Sequence, residues 1–468
     1  MLVIVLAAVA SVVCYAKAER NRYVATLAEA MAIIQDHYIE PVEPRTLFEG
    51  AMEGMLASLG DQYSNYISPR DFAEFQTSLD QEFGGVGIVV EVHPPTRHLM
   101  VVTPLVNTPA YEAGLQAGDL ILSINGKSTQ DMSMSDAVDL MRGKPGTEVH
   151  LTIRRDGETT PREVRLRRAI IPIESVLGDT RRADGSWNFF LDEHPHIGYV
   201  RVTTFGDHTA EEFKRALQQF EEHPIQALII DMRGNAGGYL SAAIAICDMF
   251  IDEGTIVSTR GRDGTIRAIY HARPAATIFP QDIPMVVLVD RDTASASEIV
   301  AACLQDHGRA AVAGARSWGK GTVQNVIQLE GGSSAIKLTT ASYWRPSEKN
   351  IHRSKDASDE DDWGVRPDPG LEIALDSETH RKLRRLRQLR DIVLRPEQQL
   401  PAWMETLWAA NNTTEDSEDS ASPSERARKE PSPQAAAITQ WSDDPQLQRA
   451  LEYLQKQIET QDLADRKP

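Results

Sequence analysis

The sequence predicts a multidomain α/β protein, and three observations support this prediction. Residues 24–80 repeat apolar side chains at helical spacing, and residues 83–170 contain short strands separated by glycine-containing turns. Residues 197–368 alternate apolar strands with amphipathic helices, the pattern of a sheet that is covered by helices. The length of 468 residues agrees with this division, since domains average roughly 150 residues.

Composition identifies a globular chain and argues against a nucleic-acid binder. Apolar residues make up 41% and charged residues 25%, which excludes a wholly disordered chain and a polytopic membrane protein. The net charge of −19 would repel a phosphate backbone. The three cysteines form no disulfide framework or Cys-x-x-Cys zinc site, and the 12 histidines show no ligand spacing. We therefore expect no metal, no other cofactor and no nucleic-acid partner.

The N-terminal residues 1–16 are almost all apolar and are followed at once by Lys17, Glu19 and Arg20. This run is shorter than the ~20 residues that comfortably span a bilayer. It fits a signal sequence or a short membrane anchor, with a buried helix as the alternative. We expect a protein of the cell envelope, on the periplasmic or extracytoplasmic side, and the sequence leaves open whether this segment is cleaved.

Residues 24–80 are predicted to form a helical N-terminal region. Leu27, Met31, Ile34 and Tyr38 recur at helical spacing, which indicates a face that packs against other elements.

Residues 83–170 carry two glycine motifs in a β-rich segment. A glycine-rich loop precedes the strand at 89–92, and a Gly-Leu-x-x-Gly-Asp block begins at Gly114. This order resembles a PDZ domain. Consecutive amides of such a loop can hold the terminal carboxylate of a peptide, while the next strand adds the peptide to the sheet. The candidate carboxylate-binding residues are Gly84, Gly85, Val86, Gly87 and Ile88. The alternative is that the glycines only serve turns.

The first candidate catalytic loop, residues 290–298, lies between an apolar strand and a helix. Its small residues can expose a side chain and bring backbone amides to a helix N-terminus, which suits an oxyanion site. Ser295 and Ser297 are both candidate nucleophiles. Helix capping by serine or threonine is the alternative interpretation.

The second candidate loop, residues 314–322, places Lys320 between two glycines and next to apolar strands. Desolvation can lower the pKa of a lysine, and the neutral amine can then take a proton from serine. Ser–Lys dyads are known variants of the catalytic triad. An ordinary surface lysine is the alternative.

Two other motifs overlap this loop. Residues 314–320 read Gly-x-x-x-x-Gly-Lys, but the hydroxyl residue of a P-loop is displaced to Thr322, and residues 323–329 look extended rather than helical. Ser317-x-x-Lys320 matches the spacing of penicillin-binding proteins, but the flanking glycines disfavour the helix it needs. Both motifs are therefore weaker interpretations than a Ser–Lys dyad.

Three ordered motifs together with the PDZ-like segment resemble the carboxy-terminal processing peptidase (tail-specific protease) family. The motifs are Asp231–Gly238, Thr293–Ile299 and Ser317–Gln324. The resemblance covers residues 24–368, and residues 446–454 resemble the common ending of the family. It implies a crotonase/ClpP-like α/β catalytic core at 171–375. It also implies a serine endopeptidase that cleaves proteins at or near their C-terminus.

The resemblance also assigns roles to single residues. It selects Ser295 rather than Ser297 as the nucleophile, with Lys320 as the general base and Gln324 as the residue that orients the lysine. The backbone amides of Gly238 and Ala296 would form the oxyanion hole. The PDZ domain would capture the C-terminal tails of protein substrates and gate the site.

Two departures from the family pattern and one alternative function remain. Trp318 stands where another aromatic residue, commonly phenylalanine, is usual, and residues 356–363 look like an acidic, solvated insertion. The alternative function is a PDZ adaptor without catalysis, against which the presence of both Ser295 and Lys320 argues.

The C-terminal part divides into a helical extension at 376–410, a disordered linker at 411–440 and a helix at 441–468. The extension carries six basic residues beside Leu383, Leu386 and Leu389. We interpret it as a helix with one solvated and one packed face, with contact to an anionic membrane as the alternative. The sequence leaves homo-oligomerisation open.

Overall fold

The computed structural model describes residues 22–182, 184–393 and 444–465. These residues form two compact units. The first unit holds the described residues before 76 together with residues 323–340, and the second holds residues 76–322 and those from 341 onward.

Helices and strands are numbered in chain order over the described residues. The helices are α1 (Arg22–His37), α2 (Pro44–Ala57), α3 (Pro69–Asp80), α4 (Pro109–Glu112), α5 (Met134–Met141), α6 (Thr209–Glu222), α7 (Leu240–Asp248), α8 (Ala296–Asp306), α9 (Ser377–Arg390) and α10 (Pro445–Asp465). The strands are β1 (Asn65–Ile67), β2 (Glu82–Gly85), β3 (Ile88–Val92), β4 (Leu99–Pro104), β5 (Leu120–Ile124), β6 (Lys127–Ser128), β7 (Glu148–Arg154), β8 (Arg162–Arg167), β9 (Ala169–Pro172), β10 (Val176–Leu177), β11 (Thr180–Arg181), β12 (Trp187–Asn188), β13 (Phe190–Leu191), β14 (His194–Val202), β15 (Ala227–Asp231), β16 (Thr255–Arg260), β17 (Ile266–His271), β18 (Met285–Val289), β19 (Ala311–Gly314), β20 (Thr322–Leu329) and β21 (Ser334–Trp344).

The first unit contains helices where the sequence predicts them, and one strand that the sequence does not show. β1 pairs antiparallel with residues 335–337 of β21, and Met52, Leu56 and Tyr66 form a small apolar core beside it. A strand of three residues carries almost no periodicity of its own. It forms because it pairs with a strand far along the chain, so the sequence of this segment alone does not predict it.

Helix α1 forms as predicted, but the expected packing of its apolar face is wrong. None of its residues is buried, and Leu27 and Ile34 are 42% and 40% exposed. Periodicity predicts the helix because it reports which side chains share a face. It does not report whether another element covers that face.

Several predictions fall wholly or partly outside the described residues. These are the signal or anchor segment at 1–16, the linker at 411–440 and the part of the extension beyond residue 393. Within the part that the structure describes, we find no helix that combines the length and the apolar character needed to cross a membrane.

The second unit contains a small β-rich domain where the glycine motifs predict one. Its sheet has the order β3-β4-β5-β7-β8, with β6 paired to β5, and β3 lies at one edge. Leu99, Val101, Ile121 and Leu151 lie in its buried core. The six strands confirm the prediction of a small β-rich domain.

The other large sheet of the second unit has the order β10-β14-β15-β18-β19, with β13 paired to β14. Strands β14, β15, β18 and β19 are parallel, and every residue of β15 and β18 is buried. Helix α10 packs Leu447, Ala450 and Leu451 into the core of this sheet. The loops that follow parallel strands emerge at one edge, so the loops after β15, β18 and β19 share that edge.

The basic helix α9 has the solvated face that the sequence predicts, on which Arg381 and Arg384 are exposed, but other basic residues of this helix are buried or paired. Arg390 is 4% exposed and binds Asp179 at 2.8 Å, and Arg385 lies 3.2 Å from Glu91 of β3. Acidic partners from distant parts of the chain therefore neutralise these charges. Sequence spacing within the helix could not show those partners.

A buried polar network links α9 and α10 to the end of β15. The Tyr199 hydroxyl donates to Asp231 Oδ2 at 2.6 Å, and Arg387 donates to the Tyr199 hydroxyl at 2.7 Å. Arg233 binds Asp231 at 2.7 Å and Asp444 at 2.9 Å. Burial alone would raise the pKa of Asp231, but the Arg233 guanidinium holds it well below its usual range.

This network predicts that acid destabilises the protein through Asp231. A lowered pKa contributes stability above the unfolded value of about 4, and this contribution is lost as the pH falls through the folded value. We expect Asp231→Asn to lower the urea midpoint at pH 7 and to lose less stability than wild type between pH 7 and pH 3. The exposed control Glu211→Gln should keep the pH dependence of wild type. The prediction would be contradicted if the free energy of unfolding of wild type and of Asp231→Asn fell equally between pH 7 and pH 3.

Candidate active site

The loop after β18 holds Ser295 in a backbone conformation that is rare for residues other than glycine. Ser295 has φ 59° and ψ −116° and stands immediately before α8. The buried Thr293 fixes the loop, because its hydroxyl lies 3.0 Å from both Met232 O and Asp290 Oδ1. Ser295 is only 6% exposed, so its hydroxyl lies within a sheltered site rather than on an open surface.

Asn235 joins the loop after β15 to the loop that carries Ser295. Its carbonyl oxygen accepts hydrogen bonds from Ala294 N at 2.9 Å and from the Ser297 hydroxyl at 3.0 Å. Its side chain donates to Val202 O at 2.8 Å and accepts from Gly237 N at 2.8 Å. Ser297 is fully buried, and its hydroxyl is engaged in this hydrogen bond.

Two glycines allow these loops to approach each other. Gly237 has φ 100°, and a Cβ atom there would lie 2.7 Å from the Cβ atom of Ser295. Gly238 has φ 148°, and a Cβ atom there would lie 2.1 Å from Phe205 O. No other residue type fits either position without displacing its neighbour.

The backbone amides of Gly238 and Ala296 are free to bind a ligand. Phe205 bridges this loop through hydrogen bonds with Gly237 O at 3.1 Å and Tyr239 N at 2.6 Å, which leaves the Gly238 amide out of the pairing. Ala296 opens α8, where the first amides have no partner within the helix. Across the described ranges, neither amide donates to a protein acceptor.

The loop after β19 carries Lys320, which is half-buried. Ser317 anchors it, since Ser317 N donates to Val365 O at 3.1 Å and Val365 N donates to the Ser317 hydroxyl at 2.7 Å. Trp318 N donates to Thr293 O at 2.9 Å, a direct link to the loop of Ser295.

The carboxylate of Glu298 ties the two loops together. It is fully buried, and Oε1 accepts hydrogen bonds from the Ser317 hydroxyl at 2.5 Å and Gly319 N at 2.7 Å. Oε2 accepts from Ser295 N and Lys320 N, each at 2.8 Å. Burial raises the pKa of Glu298, while these hydrogen bonds act in the opposite direction. One oxygen thus holds the amides of both predicted catalytic residues.

Tyr343 of β21 is a site residue that sequence reasoning missed. Burial raises the pKa of the Tyr343 hydroxyl, and its interaction with the Ser295 side chain opposes the rise. Tyr343 N also donates to Gly321 O at 2.8 Å. No motif marks this tyrosine, because only strand pairing brings it to the loops.

Gln324 belongs to the first compact unit, whereas Ser295 and Lys320 belong to the second. Its side chain donates to the Thr339 hydroxyl at 3.1 Å, across from β20 to β21. Its role as the residue that orients Lys320 stays a prediction. The strand β20 also begins at Thr322, so no helix follows Lys320 as a P-loop would require.

The predicted carboxylate-binding loop of the PDZ domain divides into two parts. Gly84 and Gly85 pair with β9, whereas the carbonyls of Val86 and Gly87 accept from Ala110 N and Leu105 N, each at 2.9 Å. In a planar trans peptide unit, the amide points opposite to the carbonyl. The amides of Gly87 and Ile88 therefore point away from these contacts, beside the open edge of β3.

One group of described residues could in principle hold a cation. Ligand atoms of Asp290, Asp292 and His380 lie within 4.8 Å of one another. Asp290 Oδ1 already accepts from Gly234 N, Asp292 N and the Thr293 hydroxyl at 2.9 to 3.0 Å. Asp290 therefore already serves as an acceptor within the loop, and Nε2 of His380 on α9 lies 3.3 Å from Asp290 Oδ2.

Comparison with known proteins identifies the family. Residues 196–369 match peptidase family S41, residues 100–155 match the PDZ domain, and residues 11–70 match the activating protease CtpB N-terminal domain. The chain is 35% identical over 339 residues to carboxy-terminal processing protease CtpB of Bacillus subtilis, covering 72% of this chain and 67% of that protein. It is 36% identical over 347 residues to the carboxyl-terminal-processing protease of Synechocystis, covering 73% and 75%. The chain belongs to the S41 family of carboxy-terminal processing proteases.

The family membership makes this chain a serine-type peptidase with a PDZ domain, as its motifs predict. A solved structure with similarity to this S41 peptidase is the photosystem II D1 C-terminal processing protease. It shares 27% identity, with a TM-score of 0.41, and the match covers 74% of this chain and 92% of that chain.

Glu298 is the site residue whose importance the motif alone did not reveal, although Ser-x-x-Glu before an apolar helix is a capping-box signal. In this S41 peptidase, we expect Glu298→Gln to lower the free energy of unfolding by about 1–3 kcal/mol, because the amide nitrogen must face at least one N–H donor. Peptidase activity should fall at least tenfold as the loops separate. Urea unfolding and peptide cleavage check both effects, with Glu211→Gln as the exposed control. Wild-type activity in Glu298→Gln would show that the loops do not depend on this carboxylate.

Proposed function

We propose that this chain is a serine endopeptidase that cleaves protein substrates at or near their C-terminus, with Ser295 as the nucleophile and Lys320 as the general base. The observation that carries the proposal is the shared carboxylate oxygen. The amides of Ser295 and Lys320 each lie 2.8 Å from Oε2 of Glu298, so their backbones are neighbours. The alternative nucleophile Ser297 is less suitable, because its buried hydroxyl donates to Asn235 O.

The proposed reaction begins with a proton transfer. Neutral Lys320 accepts the proton of the Ser295 hydroxyl as its oxygen attacks the scissile carbonyl carbon. The amides of Gly238 and Ala296 donate to the oxyanion that forms, and neither has another acceptor within the described residues. Protonated Lys320 then gives its proton to the leaving amine. Water hydrolyses the acyl-enzyme by the same route, and Gln324 keeps the lysine oriented.

The PDZ domain supplies the preference for C-terminal tails in this proposal. The terminal carboxylate of a substrate accepts hydrogen bonds from the amides of Gly87 and Ile88, and its last residues extend the sheet along the open edge of β3. Binding of the tail along this edge then controls access to Ser295. The apolar residues 1–16 support an activity on the extracytoplasmic side of the membrane.

The proposed dyad predicts a clear ranking of variants. Ser295→Ala and Lys320→Ala should each lower kcat by about 10³-fold or more, because the nucleophile and base act as a unit. Ser297→Ala should keep activity within about tenfold and cost roughly 1 kcal/mol of stability through one lost hydrogen bond. Cleavage products are measured by mass spectrometry, and a fluorophosphonate probe reports on Ser295. Full activity in Lys320→Ala would exclude the dyad.

The proposed tail recognition predicts that peptide affinity depends on the free C-terminal carboxylate of the peptide. A peptide with an apolar end and a free C-terminal carboxylate should bind Ser295→Ala at least tenfold more tightly than the same peptide with a C-terminal amide, since charge-assisted hydrogen bonds are lost. Isothermal titration measures both affinities. Equal affinities would contradict carboxylate capture. Tight binding by a wild-type chain that neither cleaves the peptide nor reacts with the fluorophosphonate would favour the adaptor.

A further inference from the structure

The loop that carries Gly238 is flexible by composition and is fixed at both ends. Gly234, Gly237 and Gly238 all have positive φ angles, of 72°, 100° and 148°. Glycine backbones lose the most conformational freedom on ordering, so such a loop needs external contacts to hold one geometry. The hydrogen bonds between Phe205 and this loop fix its far end, and the contacts of Arg233 fix its near end.

Arg233 is held between two carboxylates, that of Asp231 two residues before it and that of Asp444 far along the chain. Its backbone amide and Nε each lie 3.0 Å from Asp231 Oδ1. On its other side, Nη1 donates to Asp444 Oδ1 at 3.0 Å and to Gln446 Oε1 at 3.1 Å. The guanidinium can bridge two acidic groups because its donors lie in a rigid plane.

The position of Asp444 is fixed by hydrogen bonds at the start of α10 and by the packing of that helix. Its Oδ1 accepts from Gln446 N at 3.1 Å and from Leu447 N at 3.0 Å, so it caps the N-terminus of α10. The residues that follow fix α10 against the sheet, since Leu447, Ala450 and Leu454 are fully buried in the core of β15 and β18. The side-chain amide of Gln446 also donates to Ile373 O at 2.8 Å.

We propose that Asp444 is a positioning residue for the peptidase reaction, acting through Arg233 on the loop that presents the Gly238 amide. This inference rests on the proposed role of Gly238 in the oxyanion hole. Asp444 touches neither Ser295 nor the amides, and it contributes by neutralising and fixing the guanidinium at the near end of the glycine loop. The segment at the C-terminal end of the chain is thereby part of the active-site framework, although residues 394–443 separate it from α9.

The physical argument concerns a buried charge with two partners. Both Asp231 and Asp444 are almost fully buried, and the Arg233 side chain is only 14% exposed. Removal of one carboxylate leaves a buried guanidinium half compensated, and it must move toward water or toward its remaining partner. A displacement of about 1 Å at catalytic groups can cost about 10²-fold in rate.

The test compares Asp444→Asn with Glu452→Gln in the full-length chain. Asparagine keeps the size and the N-cap function of aspartate but removes its charge. We expect Asp444→Asn to lower kcat at least tenfold with KM within twofold, and to slow the reaction of Ser295 with a fluorophosphonate by a similar factor. Glu452 is exposed on the same helix, and its variant should match wild type.

A second pair of variants keeps the proposal falsifiable if Asp444→Asn folds poorly. Arg233→Lys keeps the charge but lacks the planar donors that bridge Asp231 and Asp444, so kcat should fall in the same way. Asp444→Glu keeps the carboxylate and should recover most of the activity that Asp444→Asn loses.

Three results would overturn the proposal. They are wild-type kcat in Asp444→Asn, a change confined to KM, and an activity loss that only follows the folded fraction measured by urea unfolding. A different result would contradict the proposed function itself. In that case wild type would not cleave the peptide, or Ser295→Ala would cleave it as fast as wild type does.

Discussion

The carboxylate of Glu298 is the contact on which the geometry of the candidate site depends. A buried carboxylate without partners is costly, and here four donors from two loops satisfy it. Those donors meet only when the loops after β18 and β19 take one arrangement. Because these strands are parallel neighbours, the sheet brings the loops together and the carboxylate fixes them.

Other contacts of the site fix the glycine loop, residues 232–238, beside the loop of Ser295. Asn235 fastens the glycine loop to the loop of Ser295, and Gly237 permits an approach that a Cβ atom would block. Behind the glycine loop, Arg233 is held by Asp231 and Asp444. Rigid strands, glycines at the points of close approach and satisfied buried charges together hold a loop-built site in one geometry.

Much of this arrangement could be predicted because its signals are local. The apolar strands at 227–232 and 285–289 are each followed by a loop of small residues, and the second of these loops is the one that the sequence predicts to hold the nucleophile. The features that were missed are non-local. β1 needs β21, Tyr343 reaches Ser295 only through strand pairing, and Arg390 finds Asp179 from a distant segment. Periodicity within one element contains no record of such partners.

By itself, the sequence determined the family, the α/β class, the PDZ domain and the two loops that contain Ser295 and Lys320, because motif spacing and side-chain period are properties of short segments. Only the tertiary structure decided which polar groups share a buried environment. It showed that Ser297 is engaged by Asn235, that Glu298 joins the loops and that Asp444 reaches Arg233. Burial and charge pairing depend on distances between residues far apart in the chain, and folding alone sets those distances.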